Sequence, residues 1–169
     1  ATYLLQHGKI HAELSRIDSY KNKVETAIKV EEPIASFPFH AYTLSQDIRI
    51  DGWDSLKPYK IVYVRGYVFP KIYLKNHNTH VVNSVKAAFA FIKSKRADLY
   101  IEEILTATSV LNSPDFDSTG IKRLEPPVTF LNTYTFFSSK YSDYAKSYHN
   151  ALVEIKEKGI YQKILSETQ

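Results

Sequence analysis

Two adjacent carboxylates, Glu102 and Glu103, follow the short apolar run "ADLYI" at residues 97–101. A carboxylate at the end of a strand can receive a ligand ammonium group. It can equally favour the positive end of a following helix. Successive side chains of a strand diverge, so one of the two faces a cleft and the other does not. A second candidate is "VRGYVFP", residues 64–70. A strand ends there at Gly66 and a helix starts at once. Free amides at a helix start bind anions, glycine lets a ligand approach the backbone, and Arg65 adds positive charge. The bland reading is a tight turn with Arg65 in solvent, and both readings stay open. A third candidate is the pair His77 and His80. Two histidines at this spacing without a carboxylate nearby are better explained by a solvated loop than by a metal. The sequence holds no nucleophile elbow, no His-Glu-x-x-His and no phosphate-cradling loop, and has only 5 Gly for such loops. We therefore expect no catalytic residues, no metal and no cofactor, and a protein that is not an enzyme.

The elements that must hold these residues follow from periodicity. "KIVYVRG", residues 60–66, is β-branched and aromatic and predicts a central strand. "YVFPKIYLKN" predicts a helix with Pro70 in its first turn. "THVVNS" predicts a strand. From Ser84 a helix carries Val85, Ala88, Phe89 and Ile92 on one face. The strand "ADLYI" and a helix through "EEILTATSVL" complete an alternation typical of a parallel α/β sheet. Ahead of this block, "KIHAELS", "AIKVEEPI" and "FPFHAYTLS" read as strands, the last with Pro38 suggesting an edge. After it come a loop at 112–120, the extended "IKRLEPP", the aromatic strand "VTFLNTYTFFS", a helix capped by Ser142 and stopped at Gly159, and the short helix "IYQKILSE". "LLQHGKIHAELSR", residues 4–16, repeats the layout of "FIKSKRADLYIEEIL", residues 91–105. One local design used twice suggests two α/β lobes. The expected divisions are a first-lobe segment at 1–46, a second lobe at 47–122 and a return to the first lobe at 123–169.

Composition narrows the class. The 169 residues include 13 Tyr and 9 Phe, so either the core or a binding surface is rich in rings. Cysteine is absent, which excludes disulfides, thiolate metal sites and thiol catalysis. The 22 Lys and Arg are interleaved with 18 acids for a net charge of +4, without the concentrated stripe that nucleic acid selects. No nucleic-acid partner is expected. No apolar run is long enough to span a membrane, and no signal peptide is present. Methionine is absent even at position 1, so the chain reads as processed or cut.

The order of these segments resembles bacterial solute-binding proteins of family 3, extracytoplasmic receptors that feed amino-acid ABC importers. "SLKPYKIVYVRGY", "AFAFIKSKRADLYIEE", "LLQHGKIHAELSRIDSYKNKV" and, most specifically, "FFSSKYSDYAKSYHNALVEIKEKGIYQKILSE" carry the likeness. It implies a two-lobed periplasmic-binding-protein-like fold of type 2, with the first lobe incomplete because the family's opening strands and helices lie ahead of this chain's start. Pairing with a second copy would cover the gap. Glu103 aligns with the family's acid for the ligand amine. Gly66, Tyr67 and Val68 align with its helix-start amides, with Tyr67 in place of a Thr. The family's clamping Arg is Lys23 here, and its Asp is His11. Arg16 falls at a ligand-contact position and can take the anion instead.

The resemblance implies capture, in the periplasm, of a small polar solute by Arg16, Arg65, Gly66, Tyr67 and Glu103. The solute would be an amino acid, a similar zwitterion or an organic acid, delivered to a membrane ABC permease. The alternatives are a ligand-sensing domain of a membrane signalling protein and, behind it, an enzyme such as a dehydratase on the same fold. The enzyme would require a cleft carboxylate or His with a perturbed pKa.

Overall fold

The computed structural model describes residues 1–167. In chain order its elements are α1 (Thr2–Gln6), β1 (Ala12–Ile17), a 3-10 segment (Asp18–Lys23), β2 (Ile28–Lys29), β3 (Ala35–Thr43), a 3-10 turn (Trp53–Leu56), β4 (Ile61–Val64), α2 (Phe69–Tyr73), β5 (Thr79–Val82), α3 (Val85–Lys93), β6 (Leu99–Glu103), α4 (Ile104–Leu111), β7 (Lys122–Arg123), β8 (Thr129–Phe137), a 3-10 turn (Ser139–Tyr141), α5 (Ser142–Glu157) and α6 (Ile160–Glu167). The chain forms two compact units, Ala1–Ser36 with Leu131–Gln169, and Phe37–Phe130. The divisions drawn from the sequence lie after residue 46 and, within β7, after residue 122, whereas the passages between the units fall inside β3 and β8. Each of these strands is 9 residues long, which is why one strand can serve both units.

The second unit is built on β4, which pairs in parallel with β5 on one side and β6 on the other. Its β-branched sequence suits a strand buried on both faces, and Ile61 and Val62 are fully buried. β3 continues the sheet antiparallel to β6, with His40 opposite Glu102 and Phe39 opposite Glu103. The edge expected at Pro38 is corrected here. β3 pairs on both sides, with β6 and with the short β7, and Pro38 stands one residue ahead of the β6 register.

α3 covers this sheet. Ser84 caps it by accepting from the Ala87 amide at 3.1 Å. Ala88, Phe89 and Ile92 are buried as their spacing predicted, while Val85 is partly buried against the same cluster. Phe89 meets Tyr42 and Tyr100 edge-on, with centroids 5.4 and 4.9 Å away. Asp98, the acid inside the apolar run, accepts from the Lys60 amide at 2.8 Å and so ties the start of β6 to the start of β4.

In the first unit β8 pairs antiparallel with both β1 and β2. α1 ends at Gly8, whose φ of +61° suits glycine and lets the Gly8 and Lys9 amides reach the Leu5 and Leu4 carbonyls. That turn takes up residues expected to open the strand, so β1 begins at Ala12 rather than Lys9. Leu5, Tyr20, Val24 and Phe136 form one small core, and Val30, Phe137 and Ala145 form another under α5. Ser142 does not cap α5. It already has helical backbone angles, because the preceding 3-10 turn runs straight into the helix.

Candidate functional site

The predicted site residues are held separately in the two units. In the second, the chain leaves β4 through Arg65, whose amide bonds to the Val82 carbonyl at 2.8 Å. Gly66 follows with φ of +93°, a conformation that favours glycine, and a Cβ there would meet nothing within 4 Å. The backbone at Gly66 is therefore both sharply turned and open to approach. Arg65 is exposed and donates Nε–H to Asn83 Oδ1 at 3.1 Å, which orients the guanidinium along the end of β5.

Tyr67 turns back from this loop, and its hydroxyl donates to Glu102 Oε2 at 2.9 Å. Tyr100, from β6 itself, donates to the same oxygen, and the Glu103 amide reaches Oε1 at 2.9 Å. Glu102 is 1% exposed. Burial raises its pKa, opposed in part by the donors of Tyr100, Glu103 and Tyr67. Burial, and then the neighbouring Glu102, push both phenols up as well. The carboxyl thus lies under the loop, out of reach of any solute.

Glu103 diverges from Glu102, as neighbouring strand residues must. Its carboxylate accepts from the Leu105 and Thr106 amides at 2.8 and 2.9 Å and from the Thr106 hydroxyl at 3.2 Å. It is the N-cap of α4, so the helix-start reading of this acid is realised. An ammonium group approaching Glu103 would share its oxygens with the first turn of the helix.

Arg16 belongs to the first unit. Between Glu13 and Arg16 the β1–β8 register shifts, which is a β-bulge. Ser15 takes the left-handed conformation there, φ 57°, with its hydroxyl 3.3 Å from Thr133 Oγ1. The bulge brings Arg16 back over Glu13. Nε and Nη2 each donate to the Glu13 carboxylate at 3.3 Å. The guanidinium carbon stands 5.3 Å from the Tyr20 ring centroid, and the Tyr20 hydroxyl donates to the same carboxylate. Burial would raise the Glu13 pKa, but the donors of Tyr20 and Arg16 outweigh it and hold it below the ordinary carboxylate value. Glu13 and Tyr20 were not singled out in the sequence. The bulge that unites them with Arg16 leaves no signature in the pattern of residues 9–15.

The histidines go separate ways. His77 Nε2 donates to the Trp53 carbonyl at 3.0 Å and its buried Nδ1 has no partner among the described residues, while His80 stacks on Phe91. Among the described residues no group of three or more His, Asp or Glu is placed to hold a metal. Among them too, no helix is long and apolar enough to cross a membrane.

No family model matches the chain. It is 28% identical over 172 residues to an uncharacterized protein of Shewanella oneidensis, across 96% of this chain and 64% of that relative's length. Solved structures carry the likeness further. A putative binding component of an ABC transporter from Wolinella succinogenes, complexed with lysine, superposes with TM-score 0.69 over 98% of this chain and 72% of its own, at 14% identity. An ancestral arginine-binding protein bound to arginine gives 0.65 over 98% and 74%, at 18% identity. The chain has the periplasmic-binding-protein fold. A histidine kinase sensor domain with similarity to periplasmic binding proteins matches as well, with TM-score 0.68 over 98% and 72%, at 9% identity. In this fold the loop after β4 and the start of α4 both lie at the C-terminal ends of parallel strands, where open α/β sheets receive ligands. At these identities the likeness is one of fold, and the fold by itself names no solute.

Proposed function

We propose that the chain is the solute-binding part of an extracytoplasmic binding protein, which captures a small amino acid, a similar zwitterion or an organic acid and performs no chemistry on it. The observation that carries this reading is the likeness to binding proteins along nearly the whole chain. The periplasm is the proposed location and a membrane ABC permease the proposed partner. Arg16, Arg65, Gly66, Tyr67 and Glu103 are the proposed contacts. The open turn at Gly66 and the exposed Arg65 beside it suit a carboxylate. The enzyme reading loses support from the burial of Glu102, the carboxylate with a raised pKa.

A thermal-shift screen of amino acids and organic acids on the full-length protein tests this. A solute at about 100 times its dissociation constant stabilises the folded state by roughly 2.7 kcal/mol. Silence across the whole panel counts against the reading. The second reading, a sensing domain of a membrane signalling protein, is favoured by the likeness to the kinase sensor domain. A kinase or cyclase domain in the full-length sequence decides for it.

A further inference from the structure

The guanidinium of Arg16 is held by partners that leave one side of it open. Nε and Nη2 face the Glu13 carboxylate, the Tyr20 ring lies beneath, and Nη1 has no partner among the described residues. The Arg16 side chain is 43% exposed, whereas that of Glu13 is 4% exposed. A buried carboxylate therefore anchors an accessible guanidinium. The anchor is itself anchored, because the Tyr20 hydroxyl donates to Glu13 and is 3.1 Å from the Thr2 hydroxyl. The backbone contributes the bulge, without which residues 13 and 16 of an alternating strand would point to opposite faces.

We propose that Glu13 is the positioning residue for Arg16, fixing the guanidinium so that its Nη1 edge is presented end-on to a carboxylate. This rests on the solute-binding reading and deepens it by naming the group that Arg16 takes and the face it uses. The familiar side-on fork, Nε with Nη2, is already filled by Glu13. A solute carboxylate then meets the terminal edge, Nη1 with the second proton of Nη2. A bare arginine on a strand must lose rotamer freedom to make that contact. Here the loss is taken at folding, which is preorganisation. Lysine at position 16 would serve less well, since an ammonium is a point charge without the two separate planar edges that let a guanidinium bond Glu13 in one fork and a solute carboxylate in another.

The test reads Arg16 directly, with acetate as the carboxylate probe and arginine side-chain NMR as the readout. In the unaltered chain the Arg16 Nε–H signal is expected to be sharp and slow to exchange, and acetate should shift the Nη signals while leaving Nε–H in place. Glu13→Gln should broaden Nε–H and weaken the acetate response about tenfold. Should Glu13→Gln fail to fold, Tyr20→Phe keeps the ring and removes only the hydroxyl that orients Glu13, and it should loosen Arg16 in the same sense. An Nε–H as mobile in the unaltered chain as in either variant overturns the proposal. So does an acetate response at Nε–H, or none at Arg16. A silent solute screen alongside a sharp, acetate-responsive Arg16 would sink the solute-binding reading and leave the positioning of Arg16 intact.

Discussion

The Tyr67 hydroxyl donates to the Glu102 carboxyl across 2.9 Å, and by that bond the loop after β4 is tied to the end of β6. The two residues are 35 apart in sequence. Glu13 and Glu102 make an instructive contrast. Both are buried and both accept from a tyrosine, but Glu13 also faces a guanidinium and Glu102 does not. Their pKa values accordingly move in opposite directions.

Glu102 should make stability depend on pH. Its pKa in the folded chain is raised above the ordinary 4.5, so the folded state holds the proton longer than the unfolded state. Stability from this group is greatest below the unfolded value and is lost as pH rises towards the folded pKa. Glu102→Gln removes the titration. Its melting temperature relative to the unaltered chain should climb as pH rises above the ordinary 4.5 towards neutrality. A constant difference across that range would show that Glu102 does not titrate differently on folding.

Glu13 carries the opposite sign. Its folded pKa is depressed, so its contribution is present above the unfolded value and is lost as pH falls through the folded pKa. Acid unfolding of Glu13→Gln should therefore be shallower than that of the unaltered chain. Denaturant midpoints on the acid side of about pH 5 check this.

Tyr67→Phe deletes one donor to Glu102 and leaves the ring in place. The expected cost is about 1 kcal/mol, the net worth of a typical hydrogen bond. Hydrogen exchange at the amides of Gly66 and Tyr67 should quicken more than in the core strand β4. Unchanged exchange there would mean that the loop is fixed by something other than this bond.

Glu103→Ala should cost about 1 kcal/mol through loss of the α4 cap, and Glu103→Asp should recover most of it, since Asp is among the preferred capping residues. Urea unfolding measures the first effect. Solute affinity measured on the Asp variant then reports on contact with the solute apart from the cap. Full affinity in Glu103→Asp, with the carboxylate withdrawn by one methylene, would argue against direct contact.

Phe89→Ala should be the most damaging of these changes. Phe89 is fully buried between Tyr42 and Tyr100, and truncating such a ring costs about 3–5 kcal/mol. A loss below about 1 kcal/mol in urea unfolding would mean that the site collapses around the cavity.

Much of the second unit was legible in the sequence because its signals are local. The β-branched run of β4, the spacing of Ala88, Phe89 and Ile92 and the cap at Ser84 each concern residues within a few positions of one another. Gly66 belongs with them, since a positive φ is a demand of the backbone at that residue. Ser142 looked like a cap by the same logic and is not one, because a 3-10 turn had already brought the chain into helical geometry.

What the tertiary structure decided is which polar group each buried polar group meets. From the strand pattern alone, nothing said which of Glu102 and Glu103 faces a cleft, and only the family resemblance singled out Glu103. Pairing of β4 with β6 placed Tyr67 above one of them, and the start of α4 claimed the other. Glu13, Arg16 and Tyr20 are close in sequence, yet only a one-residue bulge against β8 turns them to a common side. A register shift is set by the partner strand and costs little in the strand's own composition, so periodicity does not record it. The sequence determines where the strands and helices run. The pairing of those strands determines which carboxylate is buried, which caps a helix and which holds an arginine, because desolvation and hydrogen bonding depend on neighbours that distant parts of the chain supply.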